Sequence, residues 1–239
     1  MVKRKAILLS HEDGELMSGK DVEDMRSFLV SPRGGGWFKD EIYSKKNIGL
    51  QELDQLCSSV RAEEFDFVLF YFSGHGGWLR NTVIELNRDG EQVSERCFSR
   101  LAMKQLNIFD CCRSYPVDES DKVASESPQE SQDIMLEYAR RKYDEKIIDA
   151  WPQSTSLYSC RKGEASYDFG QGGIYTQSLL TVARTAEEGV LFASQAHVRA
   201  SELTIAETSS RLVNQHPDFF MAKYPLRYQL PFAINPKII

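Results

Sequence analysis

One apolar run constrains the fold of this chain more than any other feature. The run FDFVLFYFS, residues 65–73, is dominated by aromatic and aliphatic residues and does not alternate with polar ones. A strand of this composition is typical of a parallel sheet that lies between two layers of helices, because both of its faces are covered. The run therefore predicts a buried central strand.

Apolar segments on either side of this run predict more strands and helices. The further strands are predicted over residues 6–10, 106–112, 156–160 and 228–234. Helical spacing of apolar residues is found in residues 22–29, 50–60, 137–146, 172–186 and 201–214. Residues 82–94 contain an Asp-Gly turn and predict a hairpin that ends in a helix cap near Ser94. Strands that alternate with helices favour a three-layer α/β/α fold with a mostly parallel central sheet of about six strands.

The size and charge of the chain narrow its class. With 239 residues, of which 41% are hydrophobic, it can bury one sizeable core, so we predict a single domain over residues 1–239. The net charge of -6 gives no general attraction to phosphate backbones, so nucleic acid is not an expected partner. The first apolar run ends at Ser10, too early for a signal peptide, and no stretch reaches the roughly 20 apolar residues of a membrane span. We expect a cytoplasmic protein without membrane contact.

The cysteines form an odd and scattered set without CxxC spacing. They are Cys57, Cys97, Cys111, Cys112 and Cys160. This pattern argues against a disulfide framework and against a structural zinc site. The expected intracellular pattern is a set of buried core cysteines with at most one reactive thiol, and the sequence context decides which thiol is reactive.

Reactive side chains follow two of the predicted central strands. His75 lies in SGHGG just after the apolar run of residues 65–73, and Cys112 lies in IFDCCRS at the end of another predicted strand. Sites in open parallel sheets form at the carboxyl ends of the strands, so neighbouring strands would bring the two together. Alone, each residue is more often structural, a histidine in a turn or a cysteine in the core. Together they predict a cysteine peptidase, in which an imidazole relays the proton of the thiol to the leaving amine.

The two motifs resemble those of a known family. YFSGHGG is similar to the histidine motif of caspases and metacaspases, and FDCCRS is similar to their cysteine motif, in which Gln or an acid stands two positions before the nucleophile. This alignment identifies Cys112 as the nucleophile and leaves Cys111 as a core residue. His75 and Cys112 are 37 residues apart, against roughly 50 in animal caspases, so the loops between them must be trimmed. The resemblance covers nearly the whole chain and implies the caspase-hemoglobinase fold.

The resemblance also implies a division of the chain. Residues 1–113 resemble the large subunit of the family and residues 154–239 the small subunit, with an exposed acidic linker over residues 114–153. Many family members are cut in this linker during maturation. The linker contains three consecutive basic residues, Arg140, Arg141 and Lys142. They are either sites of self-processing or the basic turn of a solvated helix.

Catalytic roles follow from the same resemblance. Cys112 attacks the scissile carbonyl and His75 protonates the leaving amine, while the amides of Gly76 and Cys112 bind the oxyanion. This chemistry requires no metal, so no cofactor is expected. Many metacaspases need calcium, which clustered aspartates bind. Three acidic residues follow Cys112 closely, Asp118, Glu119 and Asp121. The shortened segment between His75 and Cys112 offers no obvious second acidic cluster, so calcium is not included among the expected cofactors.

Acidic residues occupy the positions that determine specificity in the family. Aspartate-specific caspases bind the substrate carboxylate with arginines and a glutamine. Here Asp110 and Asp168 stand at matching positions, Asp21 lies early in the first helix as in metacaspases and paracaspases, and Ser73 fits the same pocket. Converging carboxylates repel one another unless a cation lies between them, so we predict cleavage after Arg or Lys. The alternatives are that Asp21 caps a helix and that Asp168 is merely exposed.

Other interpretations stay open at this point. A separase-like or CHAT-type peptidase shares both motifs, a catalytically silent caspase-like module would act by binding partners, and a redox sensor would use Cys111 and Cys112. The expected partners are protein substrates and a separate activator protein or ligand. The chain resembles stand-alone bacterial caspase-like proteins, some of which act in antiviral defence or cell death. The sequence does not decide between a monomer and a dimer.

Overall fold

Strands and helices alternate along most of the chain. The computed structural model describes residues 2–14, 16–114 and 133–238, with only the backbone at residues 133 and 134. The strands are β1 Arg4–Ser10, β2 Ile42–Lys46, β3 Phe67–Ser73, β4 Gly76–Trp78, β5 Thr82–Glu85, β6 Gln92–Ser94, β7 Lys104–Asp110, β8 Gln153–Tyr158, β9 Val190–Phe192, β10 Asp218–Phe220 and β11 Pro231–Ile234. The helices are α1 Ser18–Val30, α2 Leu50–Ala62, α3 Asp133–Asp149, α4 Ile174–Thr185 and α5 Ala193–Ser210. In these described ranges, no helix combines the length and the apolar character needed to cross a membrane.

A six-stranded sheet forms the centre of the fold. Its strand order is β10-β8-β7-β3-β1-β2, and each neighbouring pair is parallel except β10 with β8. The predicted α/β fold with a mostly parallel central sheet is therefore confirmed. The strand predicted from the long apolar run is β3, which lies inside the sheet and is buried along its whole length.

Side chains of β3 alternate between two cores, one on each face of the sheet. Leu69 and Tyr71 pack with residues of α1, α3, α4 and α5 on one face. Val68 and Phe70 pack with residues of α2, β5 and β6 on the other. Because both faces meet apolar partners, the strand has no polar face, which explains its continuous apolar sequence.

The hairpin predicted over residues 82–94 is present. β5 pairs antiparallel with β6, and β4 adds a third strand to this small sheet. The Ser94 hydroxyl accepts a hydrogen bond from the Arg96 N–H, so Ser94 caps the short 3₁₀ helix Glu95–Phe98. Ile84 and Val93 of the hairpin are buried in the core that α2 shares with the central sheet.

The end of the chain departs from the strand predicted over residues 228–234. Leu226–Tyr228 form a 3₁₀ turn, and β11 begins only at Pro231. β11 pairs with β9 in a separate two-stranded sheet rather than with the central sheet. The edge strand next to β8 is instead β10, whose three residues are too few to give a periodic pattern.

Part of the predicted linker, residues 114–153, is a packed helix. α3 lies within this range and buries Ala139 and Tyr143 in the same core as α1 and α4. The prediction of an exposed linker is therefore wrong for α3, because one face of that helix is apolar. Residues 115–132 lie outside the described residues.

Arg140 anchors α3 to the segment before β2. Its guanidinium donates two hydrogen bonds to the Glu41 carboxylate, at 2.6 and 2.7 Å, and one to the Gly36 carbonyl at 3.1 Å. The residue is buried, whereas Arg141 is exposed on the same helix. A protease could cut after either residue only if α3 unwound. For Arg140 these contacts favour the structural alternative over a site of self-processing.

Candidate active site

β3 and β7 bring the two sequence motifs to the same edge of the central sheet. The strands are parallel neighbours, in a register that pairs Ser73 with Asp110. The loops beyond them stay joined, because the Trp78 N–H donates to the Ser114 carbonyl at 3.0 Å. The histidine and cysteine motifs therefore leave the sheet side by side at the carboxyl ends of the strands, where sites of open α/β sheets form.

The two loops touch at Gly76, the predicted oxyanion donor. A Cβ at this position would lie 2.8 Å from Cys111 Sγ and 2.8 Å from the Val83 carbonyl, so a larger residue would force the loops apart. Cys111 is buried at this contact, and burial raises the pKa of its thiol well above the ordinary value. Cys111 is thus a core residue, whereas Cys112 beside it is only half-buried. Exposure favours Cys112 as the reactive thiol.

The His75 ring is held on two sides. Its Nε2 lies 2.6 Å from Asp13 Oδ2, and because a carboxylate only accepts, Nε2 is the donor. The His11 ring stands edge-on to it, with the ring centroids 5.0 Å apart and the planes at 69°. Gly74 allows this approach, because a Cβ there would lie 2.8 Å from the Cβ of His11. With 36% of its side chain exposed, His75 is accessible to a ligand from the remaining side.

The Cys112 thiol lies against the backbone of Ser166. The Ser166 N–H donates to Sγ at 3.4 Å, and the thiol in turn is 3.6 Å from the Ser166 carbonyl oxygen, which can accept its proton. Burial is the main cause that raises the pKa of Cys112. The thiol therefore needs a proton acceptor before it can attack, and the adjacent loop supplies an imidazole in His75.

Asp110 lies buried at the end of β7, two residues before Cys112. Its Oδ1 accepts from the Ser166 hydroxyl at 2.7 Å, and its Oδ2 accepts from the Thr176 N–H at 3.0 Å and from the Thr176 hydroxyl at 2.7 Å. Burial raises the pKa of Asp110 although these donors favour its ionised form. Since Ser166 also contacts the Cys112 thiol, one residue connects the Asp110 carboxylate to that thiol.

Asp21 and Ser73 are in direct contact. The Asp21 carboxylate accepts from the Ser73 hydroxyl at 2.8 Å, from the Gly173 N–H at 2.9 Å and from Gln177 Nε2 at 3.1 Å. These donors belong to β3 and to the start of α4, so Asp21 does not cap its own helix. Burial, together with the neighbouring Asp110 carboxylate, raises the pKa of Asp21 well above the ordinary value.

Two glycines before α4 let both carboxylates reach the backbone. A Cβ at Gly172 would overlap Asp21 Oδ1, and a Cβ at Gly173 would overlap Asp110 Oδ2. Gly172 also has a φ of +95°, which favours glycine. The QGG sequence is therefore the place where the two buried acids converge.

Asp168 completes this acidic corner from the loop before α4. Its Oδ2 accepts from the Met17 N–H at 2.8 Å, and its Oδ1 accepts from the N–H groups of Gly170 and Gly172 at 2.7 and 3.2 Å. It is thus more than an exposed surface residue, and it lies partly open to solvent while Asp21 and Asp110 are buried. Negative charge from both of the other carboxylates acts on Asp21. Asp21, Asp110 and Asp168 therefore form one acidic corner beside the Ser166 loop.

Sequence reasoning missed Asp13 and the polar partners of the buried acids, Thr176 and Gln177. Asp13 follows β1, and β1 pairs with β3 in a register that aligns Ser10 with Ser73. The loop after β1 therefore emerges beside the loop that carries His75. The sequence shows that Asp13 lies three residues beyond a predicted strand. It does not show the strand order, which places Asp13 next to His75.

Metal binding has no support in the described part of the chain. Within residues 2–14, 16–114 and 133–238, no group of three or more His, Cys, Asp or Glu residues is arranged to hold a metal ion. The acids considered for calcium, Asp118, Glu119 and Asp121, lie outside these ranges.

The fold is a mostly parallel α/β domain with a histidine and a cysteine just past the ends of two adjacent strands. The sequence profile of the caspase domain matches residues 3–219 of the chain. The chain therefore belongs to the caspase-domain family, a family of cysteine peptidases.

A solved structure and the curated proteins complete the comparison. The chain is similar to the crystal structure of protein GSU0716 from Geobacter sulfurreducens, with a TM-score of 0.56 and 16% sequence identity over 97% of this chain and 99% of that one. At this identity the similarity shows the fold alone. No curated protein matches the sequence.

Proposed function

We propose that the chain is a cysteine endopeptidase that cleaves proteins after Arg or Lys, with Cys112 as nucleophile and His75 as general acid and base. Membership of the caspase-domain family supports the peptidase chemistry. The observation that carries the basic preference is the acidic corner, whose Asp110 accepts a hydrogen bond from the same Ser166 that contacts the Cys112 thiol. A substrate side chain that enters beside the nucleophile would meet this corner.

Each catalytic step uses a group at the strand ends. Cys112 Sγ bonds to the scissile carbonyl carbon while its proton passes to His75, and the amides of Gly76 and Cys112 hold the oxyanion. Donors of this kind typically contribute a factor of about 100 to 1000 in rate. When the C–N bond breaks, His75 gives the proton to the leaving amine. Water then hydrolyses the thioester, with His75 as the base.

The acidic corner distinguishes a basic substrate from an acidic one. Asp21 and Asp110 are only 1% and 4% exposed and already accept hydrogen bonds, so we assign them to the floor of the pocket and Asp168 to its rim. A bound Arg or Lys side chain would stabilise the ionised forms of both floor residues, whose pKa values burial raises. A bound Asp side chain would add a further negative charge to a crowded site.

Fluorogenic peptides that differ only in the residue before the cut test this proposal. We expect kcat/KM for the Arg and Lys peptides to be at least about 100-fold higher than for the Asp peptide. The carboxylate of the Asp peptide would lose its water in the acidic corner without finding a cationic partner there. Cys112→Ala should abolish cleavage, whereas the matched Cys111→Ala variant should keep most of it. A preference for the Asp peptide would contradict the proposed specificity pocket, but it would still be consistent with peptidase activity. If neither the intact wild type nor the chain cut in the linker cleaves any of the peptides, a peptidase that is active on its own is refuted.

Regulation is a second part of the proposal. We propose that the activity is controlled by a cut in the linker before α3 or by a separate activator protein or ligand. A cytoplasmic location and a role in antiviral defence or cell death are carried over from the sequence as predictions.

A further inference from the structure

We propose that Asp13 is a positioning residue for His75 and sets which ring nitrogen takes part in proton transfer. The inference rests on the proposed peptidase function and adds a third member to its pair of catalytic residues. Its basis is the 2.6 Å contact between Asp13 Oδ2 and His75 Nε2.

This contact fixes the tautomer of the imidazole. A carboxylate can only accept, so Nε2 carries a proton whenever it bonds to Asp13. In a neutral imidazole the second nitrogen then has no proton. Nδ1 of His75 is therefore the base that accepts the proton of the Cys112 thiol and later delivers it to the leaving amine.

The same contact stabilises the charged form of His75 during the reaction. When Nδ1 accepts the thiol proton, the ring becomes an imidazolium, and its Nε2–H bond to Asp13 becomes a charge-assisted hydrogen bond. Asp13 stays ionised throughout and exchanges no proton. The aspartate of a serine-protease triad behaves in the same way. The proton moves only among Cys112, His75, the leaving amine and water.

The loop that carries Asp13 is held in place by its backbone. The His11 N–H donates to the Ser73 carbonyl at 3.1 Å, which ties the loop to the end of β3. The Glu12 N–H and carbonyl bond the side-chain amide of Asn47 at 2.7 and 2.9 Å, and the Arg88 Nε donates to the same carbonyl at 2.7 Å. Asp13 therefore points from a supported segment, as a residue that orients a catalytic group requires.

His11 limits the rotation of the His75 ring. It is 2% exposed and packs edge-on against His75. Its Nδ1 is 3.8 Å from Glu85, and burial is the main cause that lowers its pKa, so it is a neutral wall rather than a second cation beside the imidazolium. The hydrogen bond to Asp13 and the contact with His11 together fix the ring orientation.

Asp13→Asn tests the inference by removing the charge while keeping the shape of the side chain. We expect kcat on an Arg peptide to fall by about 100-fold, within the range that general acid–base catalysis contributes, with KM changed less than about threefold. Asp13→Glu should recover part of the lost kcat because it restores a carboxylate. Glu12→Gln is the matched control, because the Glu12 side chain pairs with Lys46 at 2.9 Å and the loop is anchored by the Glu12 backbone. Its kcat should stay near that of the wild type.

A measurement independent of catalysis separates this inference from the proposed function. Nitrogen-15 NMR of the four histidines, with His75 assigned from His75→Ala, should show a protonated Nε2 and a bare Nδ1 in the wild type and a mixture of tautomers in Asp13→Asn. The role of Asp13 would be overturned if the wild type is active and the kcat of Asp13→Asn lies within threefold of the wild-type kcat. It would also be overturned if Asp13→Glu is as impaired as Asp13→Asn. If the wild type cleaves no peptide, the proposed function fails, and the tautomer still decides whether Asp13 orients His75.

Discussion

Asp21 and Asp110 are two buried carboxylates that act on each other, and burial raises the pKa of both. When the pKa of an acid is higher in the folded chain than in the unfolded chain, the unfolded chain loses its proton first as the pH rises. Stability from these groups is therefore full below the ordinary carboxyl pKa of about 4 and is lost as the pH rises towards the raised values. Retention of such a pair fits a functional site better than a structural one.

Asp21→Asn should consequently trade activity for stability. The amide removes one of the mutually repelling charges, so we expect the thermal midpoint to decline less steeply between pH 5 and pH 8 than in the wild type. The kcat/KM for an Arg peptide should fall by about 10- to 100-fold, because a charge-assisted contact is lost from the pocket. Thermal scans across this pH range measure the first effect and peptide cleavage the second. Glu23→Gln on the exposed face of the same helix is the control for the pH slope. Equal slopes for Asp21→Asn and the wild type would contradict the prediction.

Individual site residues differed in how far the sequence could predict them. His75, Cys112 and Asp110 belong to short motifs next to apolar strands, so the sequence could predict that they lie at one edge of the sheet once the strands were expected to be neighbours. Asp13 required the strand order, because its loop meets His75 only through the pairing of β1 with β3. A contact of this kind depends on tertiary structure that no local pattern encodes.

At the scale of elements, α3 is held by a buried ion-pair network. Arg140 pairs with Glu41 at 2.6 Å, and Arg4, whose side chain is fully buried, contacts Asp144 at 3.1 Å and Glu41 at 3.5 Å. Two cations and two anions balance within this group. The network joins β1, the segment before β2 and α3, which are far apart in the sequence.

Removal of one charge from this network should destabilise the whole fold. Arg140→Ala leaves the Glu41 carboxylate short of a partner in a poorly solvated place, so we expect the free energy of unfolding to fall by about 3 kcal/mol. Arg141→Ala on the exposed side of the helix is the control and should change it by less than about 0.5 kcal/mol. Urea titrations followed by circular dichroism measure both variants. A loss as small for Arg140→Ala as for Arg141→Ala would show that the network does not anchor α3.

Elements with long sequence patterns were predictable, and short ones were not. The strand over residues 65–73 was predicted from its continuous apolar run, and the helices were predicted from their helical patterns, which packing on the sheet preserves. β2 and β10 were missed because edge strands of five and three residues bury few side chains. The last strand was placed too early, since the pattern of apolar residues over 228–234 could not show that the chain first makes a 3₁₀ turn.

At the scale of the whole molecule, the segments on either side of the linker are interleaved. β7 precedes the linker and β8 follows it, yet they are adjacent parallel strands that pair from Lys104–Gln153 to Phe109–Tyr158. The acidic corner is also shared, because Asp21 lies before the linker and Gly173 after it. A single cut between the two segments would leave the sheet and the site intact.

Self-processing should therefore yield two fragments that stay associated and active. We expect the purified wild type to separate into two bands on a denaturing gel while eluting as one species from a sizing column, and Cys112→Ala to stay a single band. Because Arg140 is buried in α3, mass spectrometry should place the new amino terminus before this helix rather than at Arg141. A fragment that begins at Arg141 would mean that α3 unwinds before the cut. If the wild type cleaves peptides while its own chain stays uncut, a separate activator rather than a cut in the linker would control the activity.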